Sequence, residues 1–133
     1  KIIITTHSST LKSVGLSRQK VKYLKNLANA FTEKKIKINL WDKMNNEEIV
    51  QDLIQIKGIG RWTAEMFLIF NLCRADIFPL DDIGMIKGLC KLYKITYPTN
   101  RELVIKIGEK WKPYRSVATW YLWRSLDPIP VEY

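Results

Sequence analysis

The feature that most constrains this chain is a reversal at residues 57–60, KGIG, set between two apolar helical segments in the stretch LIQIKGIGRWTAEMFLIFNLCRADIFPLDDIGMIKG, residues 53–88. Gly58 and Gly60 flank Ile59. Glycine reaches backbone conformations closed to other residues and has no side chain to hold a ligand at a distance, so the chain can turn sharply here with its outer surface bare. A helix that begins directly after such a turn offers first-turn N–H groups and the positive end of its dipole to an anion such as phosphate. Ile59 is placed to anchor the turn to the core. A bare GxG also serves as a helix C-cap. The full succession of apolar helix, KGIG and apolar helix points instead to a binding turn, and it tethers that turn to the paired aspartates Asp81 and Asp82.

Charge narrows what the turn would bind. Twenty-two Lys and Arg against thirteen Asp and Glu leave a formal net charge of +9 on 133 residues. Such a balance favours a polyanionic partner through phosphate contacts and counterion release. Nucleic acid is favoured over an anionic membrane surface, because the basic residues are spread among helices with apolar faces and not gathered on one amphipathic helix. A merely soluble basic protein carries the same charge. At 47% hydrophobic residues the chain can bury a core, and its length is that of one domain, read here as residues 1–133. Cys73 and Cys90 are isolated and His7 is the only histidine, so no zinc or iron–sulfur ligand set is present. Both cysteines read as small buried apolar residues in a reducing compartment. No apolar run reaches the roughly 20 residues that span a bilayer and no signal-peptide pattern opens the chain. We expect an intracellular setting, cytoplasmic (nucleoid) or nuclear. With Lys1 in first place, the chain is expected to be part of a longer protein.

Residues 1–10, KIIITTHSST, are β-branched and then polar, which predicts a short extended opening with no functional role. From Ser17, read as an N-cap, Val21, Leu24, Ala28 and Phe31 recur at helical spacing with Lys20, Lys22 and Lys25 between them. Residues 32–43 read as a connection. Asn45 and Glu48 form a capping-box pattern before the stripe Ile49, Val50, Leu53 and Ile54. After the turn, Trp62, Ala64, Met66, Phe67, Leu68 and Phe70 predict an almost wholly apolar, central and buried helix. A loop containing Pro79 delivers the aspartates to a helix whose apolar face is Ile83, Ile86, Leu89, Cys90 and Tyr93. Thr99 and Glu102 suggest another capping box, with Leu103, Ile107 and Trp111 following until Pro113. A last helix runs from about Tyr114 to Leu126 and stops at Asp127 and Pro128. With about six helical segments and no convincing sheet, the fold class is all-α.

A carboxylate tethered to a phosphate-holding turn can do chemistry on a nucleotide; read alone, the two aspartates are N-caps. The wording of the chain then acquires a likeness. IKGIGRWTAEMFLIF resembles the hairpin of the helix-hairpin-helix DNA glycosylase superfamily, and DDIGMIKG resembles its catalytic-aspartate segment. GLSRQKVKYLKNLANAF, WKPYRSVATWYLWR and the spacing from hairpin to aspartate are similar to the alkylated-base branch typified by DNA-3-methyladenine glycosylase II, so the likeness runs over residues 11–124.

The resemblance implies a helix-hairpin-helix glycosylase domain with its hairpin at residues 53–70 and its catalytic loop at 74–88. It implies that amides of Gly58, Gly60 and Thr63 hold a phosphate beside an extruded nucleotide. Lys57 and Arg61 add phosphate contacts on electrostatic grounds. It further implies that a monovalent cation, Na or K, is held by backbone carbonyls of Ile54, Ile56 and Ile59 when DNA is bound, with no cofactor otherwise required. Asp82 falls at the catalytic position, where a carboxylate stabilises the positive charge that grows on the sugar as the base leaves and orients or deprotonates water. Asp81 is then a neighbour, read as the cap of the helix beginning at Ile83. Strand-cleaving relatives carry a Schiff-base lysine where this chain has Trp62, so a monofunctional hydrolase leaving an abasic site is implied. Trp62, Met66 and Trp123 match base-pocket positions, and an aromatic cleft suits cationic alkylated bases. Trp120 and Tyr121 read more simply as core packing. The expected partner is double-stranded DNA with a damaged base, and the protein is expected to be a monomer unless a partner chain completes an N-terminal lobe. Family members have further N-terminal sequence that supplies a wedge into the duplex, and no wedge residue is assignable here. Two rivals stand beside this reading: a non-catalytic DNA-binding module in which the aspartates only cap a helix, and a glycosylase for oxidised or deaminated bases.

Overall fold

The computed structural model of the protein describes residues 1–127. The regular elements among them are all helical: α1 (Ile2–Thr5), α2 (Ser8–Ser13), α3 (Arg18–Thr32), a 3-10 helix (Ile38–Lys43), α4 (Asn46–Ile54), α5 (Arg61–Phe70), α6 (Ile83–Tyr93), α7 (Arg101–Glu109) and α8 (Arg115–Arg124). The six longer helices, α3 to α8, are those that apolar spacing marks out, and the expected all-α class holds. Pro128, the expected stop after α8, lies outside the described residues. The chain forms two compact units, Lys1–Ala64 and the part from Glu65 onward.

In the first unit α1 and α2 pack on α3. This corrects the expected extended opening. The Thr5 and Thr6 hydroxyls donate to the Ile2 carbonyl at 3.0 and 2.8 Å, and His7 caps α2 by accepting from the Ser9 N–H at 3.3 Å. Such local bonds, with docking on α3, outweigh the weak strand preference of three isoleucines. Ser17 caps α3, as its position suggests. The connection at 32–43 is partly a 3-10 helix whose Trp41 is buried. The buried Asp52 of α4 holds that segment by accepting from the Lys37 N–H at 2.8 Å and the Trp41 indole N–H at 2.9 Å.

The second unit is built on a core of Met85, Leu89, Val104, Ile107 and Leu122, with Phe78, Leu80, Ile86, Ile95 and Trp111 packed against it. Each fully buried aliphatic side chain of this kind contributes about 1.5–3 kcal/mol. The buried face of α6 differs in part from the expected one. Leu89 and Cys90 are inside and Ile86 packs on the core as expected, joined by Met85 and Gly88, while Ile83 and Tyr93 are exposed. Gly88 sets this rotation, because a Cβ there would lie 2.6 Å from the Leu122 carbonyl oxygen, so only glycine lets α6 and α8 approach so closely. The N-cap of α7 is Asn100, accepting from the Glu102 N–H at 2.7 Å, one residue beyond the expected Thr99, and with Leu103 at the third helical position the cap is a single bond and not the expected box.

Helix α5 is less buried than its composition predicts. Ala64, Glu65 and Leu68 are inside, but Phe70 is 61% exposed. A helix with one neighbouring face buries one stripe however apolar the remainder is. Trp120 and Tyr121 of α8, expected in the core, are likewise on the surface, at 36% and 65% exposure. Cys90 is buried as expected, whereas Cys73 is exposed and has a φ of 50° in the loop after α5.

Candidate functional site

The hairpin turn is assembled in the first unit. The capping box of α4 forms as its sequence predicts: Asn45 Oδ1 accepts from the Glu48 N–H at 2.9 Å and Glu48 Oε2 from the Asn45 N–H at 2.7 Å. Beyond α4 the chain tightens. The Ile56 N–H donates to the Leu53 carbonyl at 3.1 Å and the Ile59 N–H to the Ile56 carbonyl at 3.0 Å, before the Gly60 carbonyl accepts from Ala64 to start α5. The two glycines are there for different reasons. Gly58 has a φ of +114°, and a Cβ on it would run into the Tyr23 ring. Nothing lies within 4 Å of a Cβ on Gly60, which faces open space. Helix α3 braces the turn from behind: besides Tyr23, Asn26 Nδ2 donates to the Lys57 carbonyl at 2.9 Å.

Lys57, Thr63 and Trp62 are exposed around this turn, Trp62 at 48%. Arg61 is engaged differently from what its charge alone suggests. Its guanidinium forks onto Glu47, Nη1 to Oε1 at 3.0 Å and Nη2 to Oε2 at 2.5 Å, while Gln51 Nε2 donates to Oε1 at 2.8 Å. The Arg61 hydrogen bonds, then that of Gln51, hold the Glu47 carboxyl down at about 2. Ile56 is buried, and Ile54 and Ile59 are half-buried, in the segment whose carbonyls are expected, from the family resemblance, to hold a cation. Neutral carbonyls at the negative end of α4 are a donor set for a hard monovalent ion, not for zinc or a redox metal. Among the described residues no group of three or more His, Cys, Asp and Glu side chains could hold a metal.

The carboxylate site lies in the second unit. Asp82, only 7% exposed, is the N-cap of α6, its Oδ1 accepting from the Met85 N–H at 2.6 Å. The same oxygen accepts from the Trp123 indole N–H at 2.9 Å. Asp81, expected to be the cap, instead points to Arg101 and pairs with it at 2.8 Å. Asp81 lies in the turn that the Asp82 N–H closes on the Pro79 carbonyl at 2.9 Å, and Asp82 is the extended residue that follows it, so the two side chains go to different partners. Trp123 also stacks on Phe70, with ring centroids 5.8 Å apart and planes 19° apart. Thus one aromatic side chain both orients the carboxylate and offers a stacked face beside it. Met66 is half-buried on α5.

The family model described as the HhH-GPD superfamily of base excision DNA repair proteins matches residues 4–113. The chain belongs to this superfamily. The match starts at residue 4, inside the opening segment to which the sequence suggests no role. Among relatives within the HhH-GPD superfamily, the chain is similar to DNA-3-methyladenine glycosylase 1 of Schizosaccharomyces pombe, 38% identical over 116 residues, which cover 86% of this chain and 51% of that protein. Among solved structures it superposes on the S. pombe 3-methyladenine DNA glycosylase Mag1 in complex with abasic DNA, with a TM-score of 0.84 and 36% identity over 92% of this chain and 60% of the other. A DNA-3-methyladenine glycosidase from Bacillus halodurans gives a TM-score of 0.82 and 30% identity, covering 92% of this chain and 57% of that one. The expected alkylated-base branch of the superfamily is borne out by these relatives. The chain spans 51 to 60% of the length of the three.

Several residues around the HhH-GPD hairpin and aspartate escape sequence reading. Tyr23 and Asn26 sit behind the turn, Glu47 holds Arg61, and Phe70 stacks on Trp123. None has a signal of its own, because each acts through a partner distant in sequence. The nearest to a signal is Gly84 after Asp82: a Cβ there would come within 3.2 Å of Asp82 Oδ1 and of the Trp123 ring.

Proposed function

We propose that this chain carries the catalytic and DNA-gripping elements of a monofunctional DNA glycosylase, which hydrolyses the N-glycosidic bond of alkylated purines of the 3-methyladenine type in duplex DNA and leaves an abasic site. The observation that carries the reading is Asp82, a carboxylate held on one oxygen by the Met85 N–H at 2.6 Å and the Trp123 indole at 2.9 Å. The names of the relatives, and the abasic DNA bound to Mag1, support the substrate class.

In this mechanism the turn at Gly58, Ile59 and Gly60 and the first turn of α5, with Thr63, take a phosphate of the damaged strand. Lys57 adds a charge, and Arg61 does so when it leaves Glu47. Ile54, Ile56 and Ile59 would hold a monovalent cation through their carbonyls, screening the phosphate. Trp62, Met66 and Trp123 receive the extruded base, whose positive charge is favoured by aromatic faces and makes it a good leaving group. Asp82 then stabilises the developing positive charge on the sugar and orients or deprotonates the attacking water. With Trp62 in place of an amine nucleophile, the strand is not cut. The protein acts inside the cell, as a monomer.

Incubating duplex DNA containing an alkylated purine with the chain and with Asp82→Asn tests the assignment: free base released by the parent and not by the variant is expected, and equal release by both refutes the role of Asp82. The second reading, a DNA-binding module without catalysis, is favoured by the 7% exposure and capping role of Asp82. Salt-dependent duplex binding with no preference for damage and no base release is its signature.

A further inference from the structure

We propose that α8 is a ruler for the Asp82 loop, and that Ser116 at its first turn is a positioning residue for the Asp82 carboxylate; the inference deepens the glycosylase reading and rests on it for its chemical consequence. The loop between α5 and α6 has no helix or strand, and its own turn, the Asp82 N–H on the Pro79 carbonyl at 2.9 Å, leaves residues 75–77 to be held from outside. Helix α8 imposes it at two places. At its start, the buried Ser116 bonds the loop three times: its hydroxyl donates to the Arg74 carbonyl at 2.6 Å and accepts from the Ile77 N–H at 2.9 Å, and its own N–H donates to the Ala75 carbonyl at 2.9 Å. The neighbouring Arg115 adds a fork to Asp76, Nε to Oδ1 at 2.6 Å and Nη2 to Oδ2 at 2.8 Å. Near its other end, Trp123 bonds Asp82 Oδ1 at 2.9 Å.

Ser116 and Trp123 are two helical turns apart, about 10 Å along a rod of fixed rise. Residues 74–77 and Asp82 are therefore held at a distance set by a helix and not by the loop itself. The Ile77 N–H and the Arg74 carbonyl share one hydroxyl, so removing it takes a bond from a buried donor and from a half-buried acceptor. The loop then relaxes, and the error is delivered to Asp82, where misplacement by about 1 Å can cost some hundredfold in rate.

The test uses the full chain with Ser116→Ala, and with Arg115→Lys as a second variant that keeps the charge and loses the fork. Asn100→Ala, which removes the cap of α7, controls for a simple loss of stability. The first readout is hydrogen exchange of the Trp123 indole N–H by NMR, which reports its bond to Asp82 directly. Exchange about tenfold faster in Ser116→Ala or Arg115→Lys than in the parent and Asn100→Ala is expected; equal exchange in all four overturns the ruler. The second readout is single-turnover base release at saturating protein, expected to fall by about tenfold or more with the duplex Kd unchanged. A parent that releases base and a Ser116→Ala variant that releases it as fast overturns the positioning role. A parent that releases none refutes the glycosylase reading alone, and the indole exchange still decides the ruler.

Discussion

Replacing each glycine of the KGIG turn by alanine should separate stability from binding. At Gly58 the backbone has a φ of +114°, where a Cβ costs about 1–2 kcal/mol. That Cβ also meets the Tyr23 ring, and forcing one extra carbon into a packed contact costs a further ~1–3 kcal/mol. The sum, roughly 2–5 kcal/mol, corresponds to about 3–4 °C per kcal/mol for a chain of this size, so Gly58→Ala should lower the melting temperature by ~10 °C. Gly60→Ala has neither penalty, since nothing lies within 4 Å of its Cβ. It should melt like the parent or slightly above it, because alanine restricts the unfolded chain. Its methyl group stands, however, on the open side of the turn, and duplex affinity should fall. Thermal unfolding by circular dichroism, with fluorescence anisotropy on a labelled duplex, measures both effects. The steric half is isolated by adding Tyr23→Ala to Gly58→Ala, which should recover part of the loss beyond additivity. Equal destabilisation by Gly58→Ala and Gly60→Ala would refute the reasoning, since the two positions would then share one role.

Other perturbations follow from the ion pairs and the close helix contact. Glu47→Gln should release Arg61 for phosphate, tightening duplex binding and steepening the slope of log K against log salt by about 0.9; an unchanged slope in a salt titration would count against it. The Glu47 carboxyl, held near 2 by Arg61, adds stability above the ordinary carboxylate range that is lost as pH falls towards 2, but both side chains are about half exposed and the effect on unfolding should be small. The Arg115 fork likewise lowers the Asp76 carboxyl below its usual range, so its stabilisation is present above about pH 4 and lost on acidification. Asp76→Asn should remove about 1–3 kcal/mol at pH 7, measured by urea unfolding, and flatten that pH dependence. Gly88→Ala places a methyl 2.6 Å from the Leu122 carbonyl oxygen and should destabilise by ~2 kcal/mol or more, visible as a lower urea midpoint.

What the amino-acid order determines by itself is what depends on neighbours three or four residues away. Apolar spacing places α3 to α8, Asn45 and Glu48 close the capping box of α4, Ser17 caps α3, and KGIG demands a tight turn. Together with the DDIG and WKPYRS segments, these are enough to reach the HhH-GPD superfamily, whose model matches residues 4–113. Tertiary packing decides whatever depends on a distant partner. Asp82 rather than Asp81 became the cap because Trp123, 41 residues on, and Arg101, 20 residues on, drew the two carboxylates apart. Arg61 turned to Glu47, 14 residues back, and Gly58 is required by Tyr23 as much as by its φ. Which stripe of α5 or α8 is buried has the same origin: Phe70, Trp120 and Tyr121 are as apolar as their buried neighbours, and only the number of faces that other helices cover leaves them outside. Local hydrogen bonds and helix periods can be read from spacing alone, whereas the partner of a charge, a ring or a loop carbonyl exists only after the helices have docked.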